Sequence, residues 1–369
     1  MKILSIVGAR PNFMKIAPLS EQFTRRGICH VLVHTGQHYD EKMSKLFFDE
    51  LGIPKPDRNL EVGSGTQAQQ TAEIMKRLEP VLLEEQPSLV IVVGDVTSTM
   101  AATITAVKLG IKVAHVESGL RSFDRSMPEE INRLLTDAIA DYHFTTEESA
   151  KQNLLREGIP SEKVFFVGNT MIDTLLKHVQ QASNSQVLES LDICPKSYGV
   201  VTLHRPSNVD SPDNLRNILE ALSEIGKDIP LIFPVHPRTR KRIEEYGLSG
   251  LVSTGQSAGA VSEKRIILTD PLGYLDFLKL TKESRIVFTD SGGIQEETTV
   301  LGIPCLTLRE NTERPVTVTY GTNMLIGMDR NLIITEGKKR LDTGCGEWAV
   351  PPLWDGRAAE RIVDIICSW

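Results

Sequence analysis

Short apolar, β-branched runs alternate with amphipathic helical patterns along nearly the whole 369-residue chain. That alternation predicts an α/β protein made of parallel sheets with helices on both faces. Two sets of about six such runs are too many for one comfortable sheet and suit two doubly wound domains. In such folds ligands gather beyond the carboxyl ends of the strands, so residues that end strands carry the functional reading.

Composition sets the outer limits. The chain is 40% hydrophobic and 24% charged, typical of a soluble globular protein with ample core. A formal charge of −7 argues against general nucleic-acid or anionic-membrane binding. Five cysteines, with no C-x-x-C pair, point to reduced thiols rather than a disulfide framework. Met1-Lys2 runs straight into a strand, with no signal-peptide pattern, and no apolar run approaches the ~20 residues of a membrane span. A cytoplasmic location is expected.

In the first half, strands are expected at Ile3–Val7, His30–His34, Leu89–Val93, Val113–Val116, Tyr142–Thr145 and Val164–Val167. The first is followed by Gly8-Ala9-Arg10-Pro11-Asn12. Pro11 suits a first helical turn, and Arg10 and Lys15 beside free helix N–H groups suit a phosphate, or simply a solvated cap. His30, His34 and His38 are spaced on a strand and loop rather than on a helix face, with no H-E-x-x-H, so no metal site is expected. Asp95 follows the third strand and Glu117 the fourth, which puts two carboxylates at strand ends. Pro128-Glu129-Glu130-Ile131-Asn132-Arg133 then starts a helix. Its apolar positions Ile131, Leu134, Leu135, Ala138 and Ile139 predict one buried stripe, with Glu129 and Arg133 paired on the opposite face. Ser149–Glu157 reads as the next helix.

In the second half, strands are expected at Gly199–Leu203, Leu231–Val235, Ile266–Leu268, Arg285–Phe288, Cys305–Leu308 and Met324–Ile326, with helices including Leu215–Ile225 and Ala358–Ile366. His204 and Arg205 end the first of these strands, and His236 ends the second. After Arg285–Phe288, Asp290-Ser291 offers cap-type side chains and Gly292-Gly293 a tight turn, with a helix through Gln295 to Leu301 stopped by Gly302. The start of that helix is an anion site in waiting, with Glu297 one turn inside, although the same residues also suit an ordinary βα turn. Thr312-Glu313-Arg314-Pro315 would set Arg314 beside the glycines, where it complements a diphosphate. The domains are expected at 1–170 and 171–355, with a final helix in 356–369 packing back on the first. Neither G-x-G-x-x-G, nor a P-loop, nor G-x-S-x-G is present.

Together these pieces resemble the non-hydrolysing UDP-N-acetylglucosamine 2-epimerases. The matching segments run in family order: Gly8-Ala9-Arg10-Pro11 with Lys15, Gly94-Asp95, His115 to Arg121, Pro128 to Arg133, Gly168-Asn169-Thr170, Asp290 to Glu297, and Thr312 to Pro315. The resemblance implies two Rossmann-like domains of the GT-B type enclosing a ligand cleft, a homodimer, and reversible conversion of UDP-GlcNAc to UDP-ManNAc for surface polysaccharides. It also implies site roles. Ser291, Gly292 and Gly293 hold the diphosphate with Arg10, Lys15, His204 and Arg314, and Glu297 holds the ribose. Phe277 and the backbone near Leu272 line the uracil pocket. Asp95, Glu117 and Glu129 are the acid–base residues, with His204 at the diphosphate.

Chemistry bears on the route. The C2 proton is not α to a carbonyl, so either a nicotinamide oxidises a neighbouring carbon or UDP leaves as that proton is removed. The missing dinucleotide fingerprint disfavours the first, and no cofactor is expected. The second needs cations on the diphosphate and carboxylates at C2, giving a 2-acetamidoglucal and UDP that recombine. Three segments depart from the family pattern. His204-Arg205-Pro206-Ser207 stands where many bacterial members read H-R-R-E, the mark of a regulatory second UDP-GlcNAc site. Val96 replaces a usual Thr and Asn12 a usual Glu. A UDP-diacetamido-uronic acid 2-epimerase and a GT-B glycosyltransferase using a UDP-sugar are the alternative readings.

Overall fold

The computed structural model describes residues 1–36, 41–253 and 266–369, the side chains of Arg10 and residues 41–45 excepted. The chain divides into two compact units, Met1–Lys177 with Pro352–Trp369, and His178–Pro351.

The first unit is built on β1 (Lys2–Val7), β2 (Cys29–His34), β3 (Arg58–Asn59), β4 (Leu89–Val93), β5 (Val113–Val116), β6 (Tyr142–Thr145) and β7 (Val164–Phe166). All pair parallel, in the order β3-β2-β1-β4-β5-β6-β7. Every residue of β4 is buried, so its sequence is continuously apolar instead of alternating. Leu4, Ile6, Val90 and Val92 face one cluster with Leu78 and Leu82 of helix Gln67–Glu85 and Ala102 and Ala106 of helix Thr97–Lys108. The strand order reverses between β1 and β4. Their carboxyl ends therefore splay apart and open a crevice, the usual ligand position of this topology.

The end of the chain belongs to this unit. Trp354 is buried and donates its indole N–H to the Thr146 carbonyl at 2.9 Å. Asp173 accepts the first N–H groups of helix Ala358–Cys367, from Ala358 at 3.1 Å and Ala359 at 2.7 Å. A side chain from elsewhere in the unit thus replaces the missing local cap.

Helix Pro128–Ile139 reverses the expectation for its faces. Its buried residues are the polar ones, Glu130, Asn132, Arg133, Thr136 and Asp137. Leu135 and Ile139 remain 44% and 38% exposed, Ala138 is exposed, and Ile131 and Leu134 are half-buried. The amphipathic pattern is real, but its polar face is turned inward. The reason lies in the loops beneath it, described below.

The second unit repeats the architecture with β8 (Gly199–Thr202), β9 (Leu231–Pro234), β10 (Ile266–Thr269), β11 (Ile286–Thr289), β12 (Cys305–Thr307) and β13 (Asn323–Leu325). They pair parallel in the order β10-β9-β8-β11-β12-β13, so the reversal lies between β8 and β11. Ile286 and Phe288 point to one core cluster and Val287 to the other, which is how a strand covered on both faces reads in sequence.

Candidate active site

In the first unit the candidate residues converge on the β1/β4 crevice. Asn12, at the start of helix Arg10–Arg25, accepts the N–H groups of Gly8 at 3.1 Å and Ala9 at 3.0 Å. Its amide also donates to the Val93 carbonyl at 2.8 Å, tying β1 to β4. Those two loop N–H groups are therefore engaged. The Arg10 side chain and His38 lie outside the described residues. Lys15 is buried and donates to Glu117 at 2.6 Å. It passes over Gly94, whose φ of 69° favours glycine and where a Cβ would stand 2.8 Å from the Lys15 Nζ.

Glu117 follows β5 with φ 72°, a left-handed conformation in a buried non-glycine residue. Such geometry costs about 1–3 kcal/mol and marks sites where a side chain has been aimed. Asp95, at the end of β4, accepts from Arg133 at 2.5 Å, and its carbonyl accepts from Asn132 at 2.9 Å. Arg133 is buried and pairs with Glu130 at 2.6 Å and with Asp95 at 2.5 Å. Burial would raise the Glu130 carboxyl, but the Ser122 N–H and Arg133 outweigh it and hold it low. Glu129, half-buried one residue earlier, sits at the same helix start.

The other histidines of this unit have structural neighbours. His30 contacts the Ser5 hydroxyl at 2.9 Å, and His34 packs on Phe13 and Phe48. Among the described residues no three His, Cys, Asp or Glu side chains are grouped to hold a metal.

In the second unit His204 follows β8 and Asp290 follows β11, the two strands where the order reverses. Asp290 was expected to cap its own helix. It turns back instead, accepting the N–H groups of His204 at 3.0 Å and Arg205 at 2.9 Å, the Asn208 amide at 3.1 Å and His204 Nδ1 at 2.9 Å. Burial opposes its charge, yet His204 and those N–H groups keep its carboxyl below the usual range. His204 itself is half exposed, with its ring orientation set by Asp290.

Helix Gly292–Leu301 begins at the first glycine, with Ser291 as its N-cap residue. The glycine pair is thus the first helical turn, not a separate tight turn. At Gly292 the reason is space: a Cβ would lie 2.3 Å from the Arg314 guanidinium. Arg314 is buried, donating to Glu296 at 2.7 Å and to Glu313. Glu313 also receives Arg309 at 2.7 Å and lies 3.8 Å from Arg205. Burial would lift Glu313, but Arg314, Arg309 and Arg205 hold it far below the usual carboxylate range.

Glu297, at the other extreme, is pushed up to about 8 by burial and the neighbouring Glu296 charge. Arg314, Arg309 and Arg205 thus gather around Glu313 beside a helix start, a setting suited to an anion. Leu272, Phe277 and Ile294 are half-buried against a single core cluster in this unit. Arg309 was not singled out from sequence, and Glu313 and Glu296 entered only within the segments Thr312 to Pro315 and Asp290 to Glu297.

Comparison with known proteins gives the same picture along the whole chain. A family model described as UDP-N-acetylglucosamine 2-epimerase matches residues 21–367. A UDP-N-acetylglucosamine 2-epimerase of Methanocaldococcus jannaschii is 43% identical, over 99% of each chain. The crystal structure of the M. jannaschii UDP-GlcNAc 2-epimerase, in complex with UDP-GlcNAc and UDP, superposes with a TM-score of 0.92 at 44% identity, covering all of both chains. A UDP-2,3-diacetamido-2,3-dideoxy-D-glucuronate 2-epimerase of Pseudomonas aeruginosa is 41% identical over 92% of each chain.

Proposed function

The chain belongs to the UDP-N-acetylglucosamine 2-epimerase family, and from that premise we propose that it interconverts UDP-GlcNAc and UDP-ManNAc by inversion at C2. Its fold, two parallel-sheet Rossmann-like units of the GT-B type, is the family's. The observation that carries the reading is Glu117: a buried carboxylate at a strand end, held at φ 72° against Lys15, in a unit that lacks a dinucleotide fingerprint.

A carboxylate takes the C2 proton as the C1–O bond breaks. UDP departs with the bonding electrons and a C1=C2 double bond forms. Protonation of C2 on the other face and return of UDP to C1 complete the inversion, so atoms and charge balance without a redox partner. Asp95, Glu117 and Glu129 are the acid–base residues. Ser291, Gly292, Gly293, Arg314 and His204 hold the diphosphate, with Arg10 and Lys15 as further cations, and Glu297 holds the ribose. Phe277 and the backbone at Leu272 receive uracil.

The test is a proton NMR time course on UDP-GlcNAc alone, run in light and heavy water. UDP-ManNAc carrying deuterium at C2 is expected; product without deuterium sinks the elimination route. Free ManNAc with UDP would signal a hydrolysing enzyme instead. A second reading, favoured by the P. aeruginosa relative, is a UDP-diacetamido-uronic acid substrate. Faster turnover of that substrate would establish it. The same proposal includes a homodimer, supported by the exposed apolar face of helix Pro128–Ile139, and a cytoplasmic location, supported by five free cysteines. Among the described residues no helix is long and apolar enough to cross a membrane.

A further inference from the structure

Under the strand ends of the first unit lies a buried polar cluster that the reaction as written does not use. Asp137, on the inward polar face of helix Pro128–Ile139, is fully buried. It accepts from His115 Nδ1 at 2.6 Å, the Ser118 hydroxyl at 2.5 Å, the Gly119 N–H at 3.0 Å and Arg121 at 2.7 Å. The far nitrogen of His115, Nε2, lies 2.8 Å from the Gly94 carbonyl. The ring thus bridges the Asp137 carboxylate and the Gly94 carbonyl.

Two loops are thereby tied to one carboxylate. Gly94 immediately precedes Asp95, and Ser118-Gly119 immediately follow Glu117. Those loops need holding. Glu117 and Gly119 have φ 72° and 84°, and a Cβ on Gly119 would stand 2.3 Å from the Ala150 carbonyl. The rest of the inward face does similar work. Asn132 holds the Asp95 carbonyl, Arg133 holds the Asp95 carboxylate, and Glu130 accepts the N–H groups of Ser122 and Phe123. The helix buries its polar side because that side is the template for the loops.

We infer that the His115–Asp137 pair is a positioning device that sets Asp95 and Glu117 together at the reacting carbon. Asp137 touches no substrate in this scheme; it acts through the backbone of both acids. Replacing it by Asn turns one of its two acceptor oxygens into a donor, which cannot accept from the groups that now point at it. Those contacts must then give, and an acid shifts by up to about 1 Å. Displacements of that order cost up to about 100-fold in rate.

The inference rests on the epimerase reading and is tested with the intact enzyme and UDP-GlcNAc. Asp137→Asn is expected to lower kcat about 10- to 100-fold with KM changed far less. His115→Gln should do the same, and the double variant should be no slower than the slower single, because the two act as one unit. Deuterium entry at C2 should slow in parallel. Wild-type kcat in Asp137→Asn, or losses that multiply in the double variant, would overturn the inference while leaving the epimerase reading intact. Should Asp137→Asn fail to fold, Ser118→Ala, which removes one donor from Asp137, carries the test. A several-fold loss of kcat is expected, and wild-type kcat overturns it. A wild-type enzyme inert toward UDP-GlcNAc overturns both readings.

Discussion

Glu117 and Glu297 are both buried carboxylates, and their surroundings give them opposite work. Glu117 has Lys15 at 2.6 Å and a backbone conformation that aims it. Glu117→Gln keeps the shape and removes the base, so kcat should fall by about 10²- to 10⁴-fold with the fold intact. Unchanged turnover would remove Glu117 from the reaction. Glu297 is buried beside the Glu296 charge, and together these hold its proton up to about 8. The unfolded chain releases that proton near the ordinary carboxylate value of about 4.3. The folded state thus binds the extra proton between those values, and its stability falls as pH rises through that window. Glu297→Gln mimics the protonated acid and should flatten the fall. Thermal midpoints at pH 5 and pH 8 measure it, and a variant as pH-sensitive as the wild type would contradict the assignment.

At the scale of elements, side chains distant in sequence decide what local patterns leave open. Asp173 caps helix Ala358–Cys367 from elsewhere in the first unit. Asp173→Ala leaves two helix-start N–H groups without their acceptor and should cost about 1–2 kcal/mol, read by chemical denaturation. A variant as stable as the wild type would show the cap to be idle.

The same scale separates what was legible in sequence from what was not. The strand Leu89–Val93 was readable because burial on both faces writes an unbroken apolar run. Arg58–Asn59 was not, since two residues between Pro56 and Leu60 carry no period. The residues ending strands, among them Asp95, Glu117 and His204, were readable from topology alone. Helix Pro128–Ile139 was read with the right period and the wrong face. The moment of a helix says that its two sides differ, not which side meets the protein. Asp137 escaped notice because a buried partner for His115 and Gly119 is a matter of tertiary contact, with no local signature.

For the whole molecule, that reversed helix has a consequence beyond its own unit. A surface formed by Ile131, Leu134, Leu135, Ala138 and Ile139 is apolar and only partly covered in the single chain: Ile131 and Leu134 are half-buried, while Leu135 and Ile139 are 44% and 38% exposed. Apolar surface of this kind is stabilised by being covered, and in a protein of one chain type the available cover is a second copy. Two copies meeting on the same helix face form a two-fold contact, the commonest closed arrangement. The polar residues that would ordinarily solvate this helix are committed inward to Asp95, Gly119 and Ser122, so the helix cannot simply roll to hide its apolar side. Leu135→Asp with Ile139→Asp places two like charges on each copy at the contact while leaving the buried polar face alone. Light scattering coupled to gel filtration should find a dimer for the wild type and a monomer for the variant, with the circular-dichroism spectrum unchanged. A monomeric wild type, or a variant that stays dimeric, would place the interface elsewhere. The variant also tests whether the proposed acid–base residues work independently of that contact. The loops that carry Asp95 and Glu117 hang from the opposite face of the helix, so the monomer should keep its C2 deuterium exchange unless dimerisation is what presses that helix onto them.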